Sequence, residues 1–315
     1  MTQILNEKFI PHFPATPFGL YLSLFWGNCR PHHFWDSAHF RNKFFLRTML
    51  MPGLTFKLLK MIAGHQAYKE LLLSQPRLPC RIHRPYLSNR VSRREGVDAI
   101  IHHYTTVTAL LGMSRFRTHL SAEGLCLAAF EGKDEQTYLL TLVSTYKLDR
   151  EGEASLILRR QNGQMLAELS FTLCQRKGEN ALIIGGLQGP NGVNAQENIQ
   201  QATKGFHGLF PKRVVLESLM VVAKYFNVQS IYAVANDAHV YQSLRYANRK
   251  QYMHADYDSF WEMSGGIPTG DGYYLLPSSS QRKNLEEVAS KKRAEYRRRF
   301  ELIDTISAQI LSAIR

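Results

Sequence analysis

No cysteine in this chain stands at metal-ligand spacing from another: Cys29, Cys80, Cys126 and Cys174 are scattered over 315 residues. With no export signal beside them they read as reduced thiols, which argues against a disulfide framework and a structural zinc site. No run of about 18 uninterrupted apolar residues occurs, so a transmembrane helix is not expected. The moderately apolar stretch from Phe18 to Trp26 is too short and too interrupted to serve as one. Met1 to Lys8 has no basic region leading into an apolar core and a small-residue cleavage site. The expectation is therefore no secretory signal and a cytoplasmic address in a bacterial-type cell. Repeats, low-complexity tracts and long Gly/Ser linkers are missing too, as are Rossmann and Walker glycine patterns, HExxH and a Gly-x-Ser-x-Gly elbow. His32, His33, His39, His102 and His103 form no metal arrangement, so no metal is expected.

Acid is the scarce charge. Lys and Arg number 39 against 26 Asp and Glu, for a formal net charge of +13. Such a chain is drawn to polyanions: nucleic acid, anionic phospholipid or a phosphate-bearing cofactor. At 44% hydrophobic content it can bury one large core or two modest ones.

Residues 1 to about 75 read as helical. Leu46 to Met61 has near-helical apolar spacing that Pro52-Gly53 must break. An arginine-rich stretch, Arg77 to Arg94, leads to a helix over Asp98 to Leu111 carrying His102, His103 and Tyr104. From Leu125 the period becomes two. Leu125 to Phe130, Tyr138 to Tyr146, Glu153 to Arg160, Leu166 to Gln175 and Ala181 to Gly185 predict five strands, separated by turn residues such as Asp149-Arg150-Glu151-Gly152. A mostly antiparallel meander follows. Lys212 to Phe226 is a helix introduced by Pro211, with Val215, Leu219, Val222 and Phe226 on one stripe. Ser230 to Ala235 reads as a strand, Ala238 to Asn248 as a short helix, Gly272 to Leu276 as a last strand, and Gln281 onward as a long helix.

The fold class is thus α+β: a mostly antiparallel sheet flanked by helices, with a helical N-terminal region and a long C-terminal helix. The expected layout is a helical, Arg-rich region over 1–120 packed on the core, an α+β core over 121–280 and a basic amphipathic helix over 281–315. The element order is similar to the acyl-CoA acyltransferase (GNAT) fold, in which the strand before the central helix leads into a pyrophosphate-binding turn.

By that analogy the cofactor-binding candidates are Gly185, Gly186, Gln188, Gly189 and Gly192, with acyl-CoA or an acyl carrier as donor. Glycines let backbone amides approach a phosphate; the plainer reading is a glycine bend ending a strand. Gln188 is followed by Gly189 and Gly192, one residue off the acyltransferase spacing. Catalytic candidates are His239, Asp258 and Glu262. His239 follows Asn236-Asp237-Ala238 and could move a proton near neutral pH, while Asp237 suits a helix N-cap. Asp258 and Glu262 lie beside Trp261, where burial raises a carboxyl pKa; Arg245 and Arg249 are their expected partners otherwise. Lys291, Lys292, Arg293, Arg297, Arg298 and Arg299 flank an apolar stripe of Tyr296, Phe300, Ile303 and Ile306, so an anionic membrane surface is a candidate partner and nucleic acid a weaker one. The alternative is a helix docked by its stripe on the protein's own core.

Ile184-Gly185-Gly186-Leu187-Gln188-Gly189, the Asn236 strand end with His239, Tyr257-Asp258-Ser259-Phe260-Trp261-Glu262 with Gly265-Gly266, His103-Tyr104 and Lys291 to Arg299 together resemble the VirK/YbjX family of Gram-negative bacteria, over roughly residues 40 to 305. The resemblance implies a part in virulence, surface-protein display, outer-membrane integrity and resistance to cationic antimicrobial peptides or bacteriocins. It implies no catalytic residue. Two functions follow as expectations. One is acyl transfer to an envelope precursor from the cytoplasmic face of the inner membrane. The other is a non-enzymatic basic adaptor for anionic lipid or a protein partner; a nucleic-acid-associated stress protein is a third.

Overall fold

The computed structural model describes residues 13–144, 147–246, 256–280 and 282–315. Arg249, the end of the helix expected to reach Asn248 and the end of the strand expected to reach Tyr146 lie outside them. The chain divides into two compact units, one ending at Arg84 and one running from Pro85 to Arg315.

The first unit is helical: α1 (Pro17–Trp26), α2 (Ala38–Leu50), α3 (Pro52–Gly64) and α4 (Tyr68–Ser74). Pro52 separates α2 from α3 by opening the second helix at its first turn, where a missing amide costs nothing. Leu20, Leu24, Trp35, Phe44, Leu58 and Ile62 form its core. The Trp35 indole donates to the Pro76 carbonyl at 2.8 Å, so the buried ring leaves no polar atom unmatched.

The second unit opens with α5 (Arg93–Leu120), started by a capping box in which Ser92 and Glu95 exchange hydrogen bonds of 2.8 and 3.2 Å. Gly112, at φ 69°, interrupts its helical backbone, which is why apolar spacing reads a helix only as far as Leu111. Strands β1 (Leu125–Glu131), β2 (Thr137–Val143), β3 (Ala154–Arg160), β4 (Met165–Arg176) and β5 (Glu179–Gln188) form the expected antiparallel meander. Then come α6 (Ala195–Gly205), α7 (Pro211–Tyr225) and β6 (Ser230–Val234), which pairs parallel to β5. A parallel neighbour requires a crossover, and α6 and α7 supply it. α8 (Tyr257–Met263), β7 (Ile267–Pro268), β8 (Tyr273–Leu276) and α9 (Ser290–Ile314) complete the chain. Among the described residues eight strands make one sheet, in the order β1-β2-β3-β4-β5-β6-β8-β7. Helices α5 and α7 pack on β4, and α9 packs on β1 and α7.

Besides the longer α5 and the unexpected α6, α8 and β7, three elements bearing on the candidate residues differ from expectation. β5 does not end at Gly185 but runs to Gln188, buried from Ala181 to Leu187. In place of a helix after Ala238 there is a 3-10 turn, Val240–Gln242, which the His239 ring caps by accepting from the Tyr241 amide at 3.3 Å. Asp237 does not cap it; its carboxylate pairs with Arg90 at 3.2 Å. The C-terminal helix begins at Ser290 rather than Gln281, because a separate turn, Leu285–Glu287, is capped by Asn284.

His119, near the end of α5, is wholly buried; its Nδ1 donates to the Leu142 carbonyl at 3.3 Å and its Nε2 has no hydrogen-bond partner among the described residues. Burial pushes its pKa down to about 4, partly offset by that carbonyl. The unfolded chain therefore takes up this proton first as acid is added. The contribution is intact above the unfolded value of 6.5 and is lost as pH falls toward 4. Comparing urea unfolding of wild type and His119→Gln across that window should show the wild type losing about 3 kcal/mol relative to the variant. Parallel curves would mean that His119 does not titrate as its burial demands.

Candidate functional site

Strand β5 departs from regular pairing at one point. Ser170 of β4 faces Gly186 and Phe171 faces Ile184, so Gly185 is the extra residue of a bulge. The loop between β2 and β3 folds onto this bulge. A Cβ on Gly185 would strike the Glu151 carbonyl group, with its carbon only 2.8 Å away, and one on Gly186 would meet the Glu151 carboxyl, 2.7 Å from Cδ. A Cβ on Gly152 would lie 2.6 Å from the Phe171 amide nitrogen. These glycines are packed seats for the loop rather than amides open to a phosphate.

A buried polar layer surrounds the bulge. The Glu151 carboxyl accepts from the Gln188 side-chain amide at 3.3 and 3.4 Å. Burial first, then the neighbouring Glu168 and Asp149, raise its pKa to about 8 against the pull of Gln188 and Arg150. Glu151 is thus largely protonated at neutral pH. The Tyr257 hydroxyl accepts from the Leu187 amide at 3.4 Å, and burial raises its pKa. His239 stacks on Tyr257 with centroids 5.3 Å apart, and Tyr257 stacks on Trp261 at 6.0 Å. Burial pushes the His239 pKa down to about 4, offset by the Gly185 backbone, so it is neutral at pH 7. Its Nε2 makes no hydrogen bond of normal geometry.

The strand end Asn236 fastens α8 beside this layer. Its side chain accepts from the Tyr257 amide at 2.9 Å and donates to Asp256 at 3.0 Å, while its amide donates to Asp258 at 2.8 Å. Asp258 is therefore a fastening residue. Glu262 is exposed and accepts from the Tyr274 hydroxyl at 3.0 Å. Neither acid is paired with Arg245.

Past Gln188 the chain opens on a cavity of about 670 Å³, within the range of small-molecule sites. Gly189 lines it, as do Leu166, Ile199, Leu209, Phe260, Phe300 and Ile303. Five cations also line it: Lys212, Arg213, Arg282, Lys283 and Arg299. The three arginines are committed. Arg213 pairs with Glu217 at 2.8 Å, Arg282 grips Asp304 with both terminal nitrogens, and Arg299 donates twice to the His207 carbonyl at 2.8 and 3.1 Å. Lys212, in the first turn of α7, makes no hydrogen bond or ion pair with any described residue, and burial alone lowers its pKa. An anion placed there would meet an ammonium without a counterion and the positive end of a 15-residue helix.

Of the glycines singled out from sequence, Gly189 alone reaches the cavity; Gly185 and Gly186 seat Glu151, and Gly192 is exposed at φ 107°. His239, Asp258 and Glu262 are not in its lining, although Phe260 and Met263 of the same helix are. In the basic cluster, Arg299 lines the cavity and Arg293 donates to the Val288 and Glu286 carbonyls. Lys291, Lys292, Arg297 and Arg298 remain exposed. The stripe continues through Leu302, Ile303, Ile306, Ile310 and Ile314, which are buried as α9 packs on β1 and α7. It is not available to lie in a bilayer. Sequence reading missed Glu151, placed by composition in a turn, and Lys212, whose lack of a partner has no sequence signal. Among the described residues no group of three His, Cys, Asp or Glu is arranged to hold a metal, and no helix is long and apolar enough to cross a membrane.

The family described as "Protein of unknown function (DUF535)" matches residues 33–312, and the chain belongs to it. It is 41% identical over 315 residues to "Uncharacterized protein YbjX" of Escherichia coli (strain K12), covering all of this chain and 96% of the relative. Two uncharacterized proteins of Haemophilus influenzae are 32% identical over 160 residues and 33% over 144, covering 51% and 45% of this chain and 52% and 47% of theirs. No solved structure matches. The YbjX side of the resemblance drawn from the motifs is thereby shown.

Two outcomes test the polar layer. Gly186→Ala should cost about 3 kcal/mol and be relieved by Glu151→Ala, since a side chain is the obstacle; Gly185→Ala should not be relieved, since its obstacle is backbone. Equal rescue of both in urea titrations would refute the seating. Glu151 releases its proton from the unfolded chain near 4.5 but from the folded one near 8, so wild type loses stability as pH rises between those values. Glu151→Gln should therefore gain about 3 kcal/mol on wild type between pH 4.5 and 7. A pH-independent difference would show that the carboxyl ionises normally.

Proposed function

We propose that this DUF535 protein binds an anionic amphiphile in the cavity beside Gly189, with the acyl portion among Leu209, Phe260, Phe300 and Ile303 and the anionic group on Lys212 and Lys283. One observation carries this reading: a half-buried lysine without a counterion among the described residues stands at a helix N-terminus, in a cavity whose walls combine apolar side chains with arginines that are already paired. Desolvating an ammonium with no partner is costly, and a phosphate or carboxylate relieves that cost while its chain displaces water from the apolar walls. Acyl-CoA or an acyl carrier has this chemistry.

The reaction we attach to it is acyl transfer to an envelope precursor. Support comes from element order: an antiparallel meander, a helix crossing to a parallel strand, and a ligand cavity where β5 runs past its parallel partner, as the acyltransferase analogy expects. The proton carriers are then sought beside the cavity rather than at Asp258 or Glu262. Glu151 lies one residue removed from it, held by Gln188 whose neighbour Gly189 is in the wall. A cellular role in envelope integrity, virulence and peptide or bacteriocin resistance rests on the VirK/YbjX resemblance.

Thermal unfolding of the full chain with acetyl-CoA, a long-chain acyl-CoA and a free fatty acid tests the binding. The long-chain thioester should stabilise most, by about 2.7 kcal/mol at a hundredfold excess over its dissociation constant. Lys212→Met should weaken it about tenfold or more, and Lys291→Glu with Lys292→Glu should not. No stabilisation by any acyl compound, or an unchanged response in Lys212→Met, would overturn the reading.

A further inference from the structure

The helical unit up to Arg84 exposes several large apolar side chains. Leu46, Met49 and Leu50 are 61%, 50% and 80% exposed, and their spacing puts them on one face of α2. Trp26, 66% exposed at the end of α1, adjoins them through a chain of rings. It sits 4.8 Å from Phe25, which stacks on Phe45 of α2 at 4.7 Å. Phe18, also exposed, stacks on Phe56 of α3 at 6.4 Å. These residues belong to helices of 10 and 13 residues, too short to cross a bilayer.

Charge identifies what this face meets. Between Phe13 and Arg84 the chain carries ten Lys and Arg against two acids, Asp36 and Glu70, and Asp36 is already paired with Arg30 at 3.3 Å. Lys43 lies on the apolar face of α2, three residues before Leu46 and seven before Leu50, and is exposed. A second copy of the chain would bring the same excess of cations into the contact. Nucleic acid would satisfy the cations and leave Leu46, Met49 and Leu50 in water. An anionic bilayer surface satisfies both, since apolar side chains enter the acyl boundary while lysines reach headgroup phosphates.

We propose that this unit docks on an anionic membrane surface through the exposed face of α1 and α2, with Trp26, Leu46, Met49 and Leu50 entering the interface and Lys43 on its phosphates. The inference is independent of the cavity and of any reaction there. It assigns membrane contact to α1 and α2 and not to the basic cluster of α9.

The protein carries its own probe. Of its three tryptophans, Trp35 and Trp261 are buried and only Trp26 is exposed, so intrinsic emission reports insertion of this face. The full chain is mixed with vesicles of equal parts phosphatidylglycerol and phosphatidylethanolamine, or with phosphatidylcholine vesicles, and flotation and emission are followed. Anionic vesicles should float the protein and shift its emission to the blue; phosphatidylcholine should do neither. Trp26→Phe should abolish the shift and keep flotation. The double substitution Leu46→Gln, Leu50→Gln should weaken partitioning about tenfold or more, with an unchanged melting temperature. Lys291→Glu with Lys292→Glu should leave it intact. The proposal is overturned if anionic vesicles show no preference or if the double variant floats like wild type. It is also overturned if the same variants instead abolish a dimer in light scattering or retention on duplex DNA.

Discussion

The second unit depends on a close approach of backbone to backbone. The loop from Leu148 to Glu153 lies directly on the bulge of β5, and three glycines allow it: Gly152 against Phe171, Gly185 against the Glu151 carbonyl, and Gly186 against the Glu151 carboxyl. A side chain at either of the first two positions would have to displace main chain. This contact carries a carboxyl into an interior where its charge is disfavoured, and leaves it holding the Gln188 side chain. Gln188 is thereby set at the last position of β5, immediately before the chain enters the cavity wall at Gly189. The geometry of the candidate site follows from how that loop is seated.

The cavity has a second logic, which is electrostatic. A chain with a net charge of +13 has no shortage of cations, but most of those near the cavity are spent holding elements together. Arg213 braces α7 internally through Glu217, Arg282 ties the segment before α9 to Asp304, and Arg299 secures the turn at His207. Lys212 is distinguished by what it does not do. Lys212 and Lys283 are the two cavity-lining cations for which no described residue supplies a partner.

Much of the architecture was legible in the residues. The strands β1, β3 and β4, the break at Pro52 and the helix after Pro211 were each read close to their observed bounds, because turn residues, alternation and proline act over a few positions. The motif from Gly185 to Gly189 reads in sequence as a turn, whereas the structure keeps it in strand β5 as far as Gln188. Glycine signals close approach without naming what approaches; here it was another loop of the same chain. Asp258 and Glu262 lay in a run that does form one helix, yet they face Asn236 and Tyr274 rather than the cavity that Phe260 and Met263 line. Within a seven-residue helix, adjacent positions point about 100° apart, so one segment sends Phe260 and Met263 to the cavity and Asp258 and Glu262 elsewhere.

By itself the amino-acid sequence determined the antiparallel meander, the helix after Pro211, the α+β class and the family, since these rest on local periodicity and on motifs contiguous in the chain. Only the tertiary structure decided that Glu151 is buried and protonated, that Gly185 is the residue of a bulge, that Arg299 is bound to His207 and that Lys212 has no partner among the described residues. Each of those depends on whether groups tens of residues apart in the chain come within a few ångströms. The protonation of a carboxyl and the availability of an ammonium are set by such neighbours and by the loss of water, neither of which a linear pattern encodes.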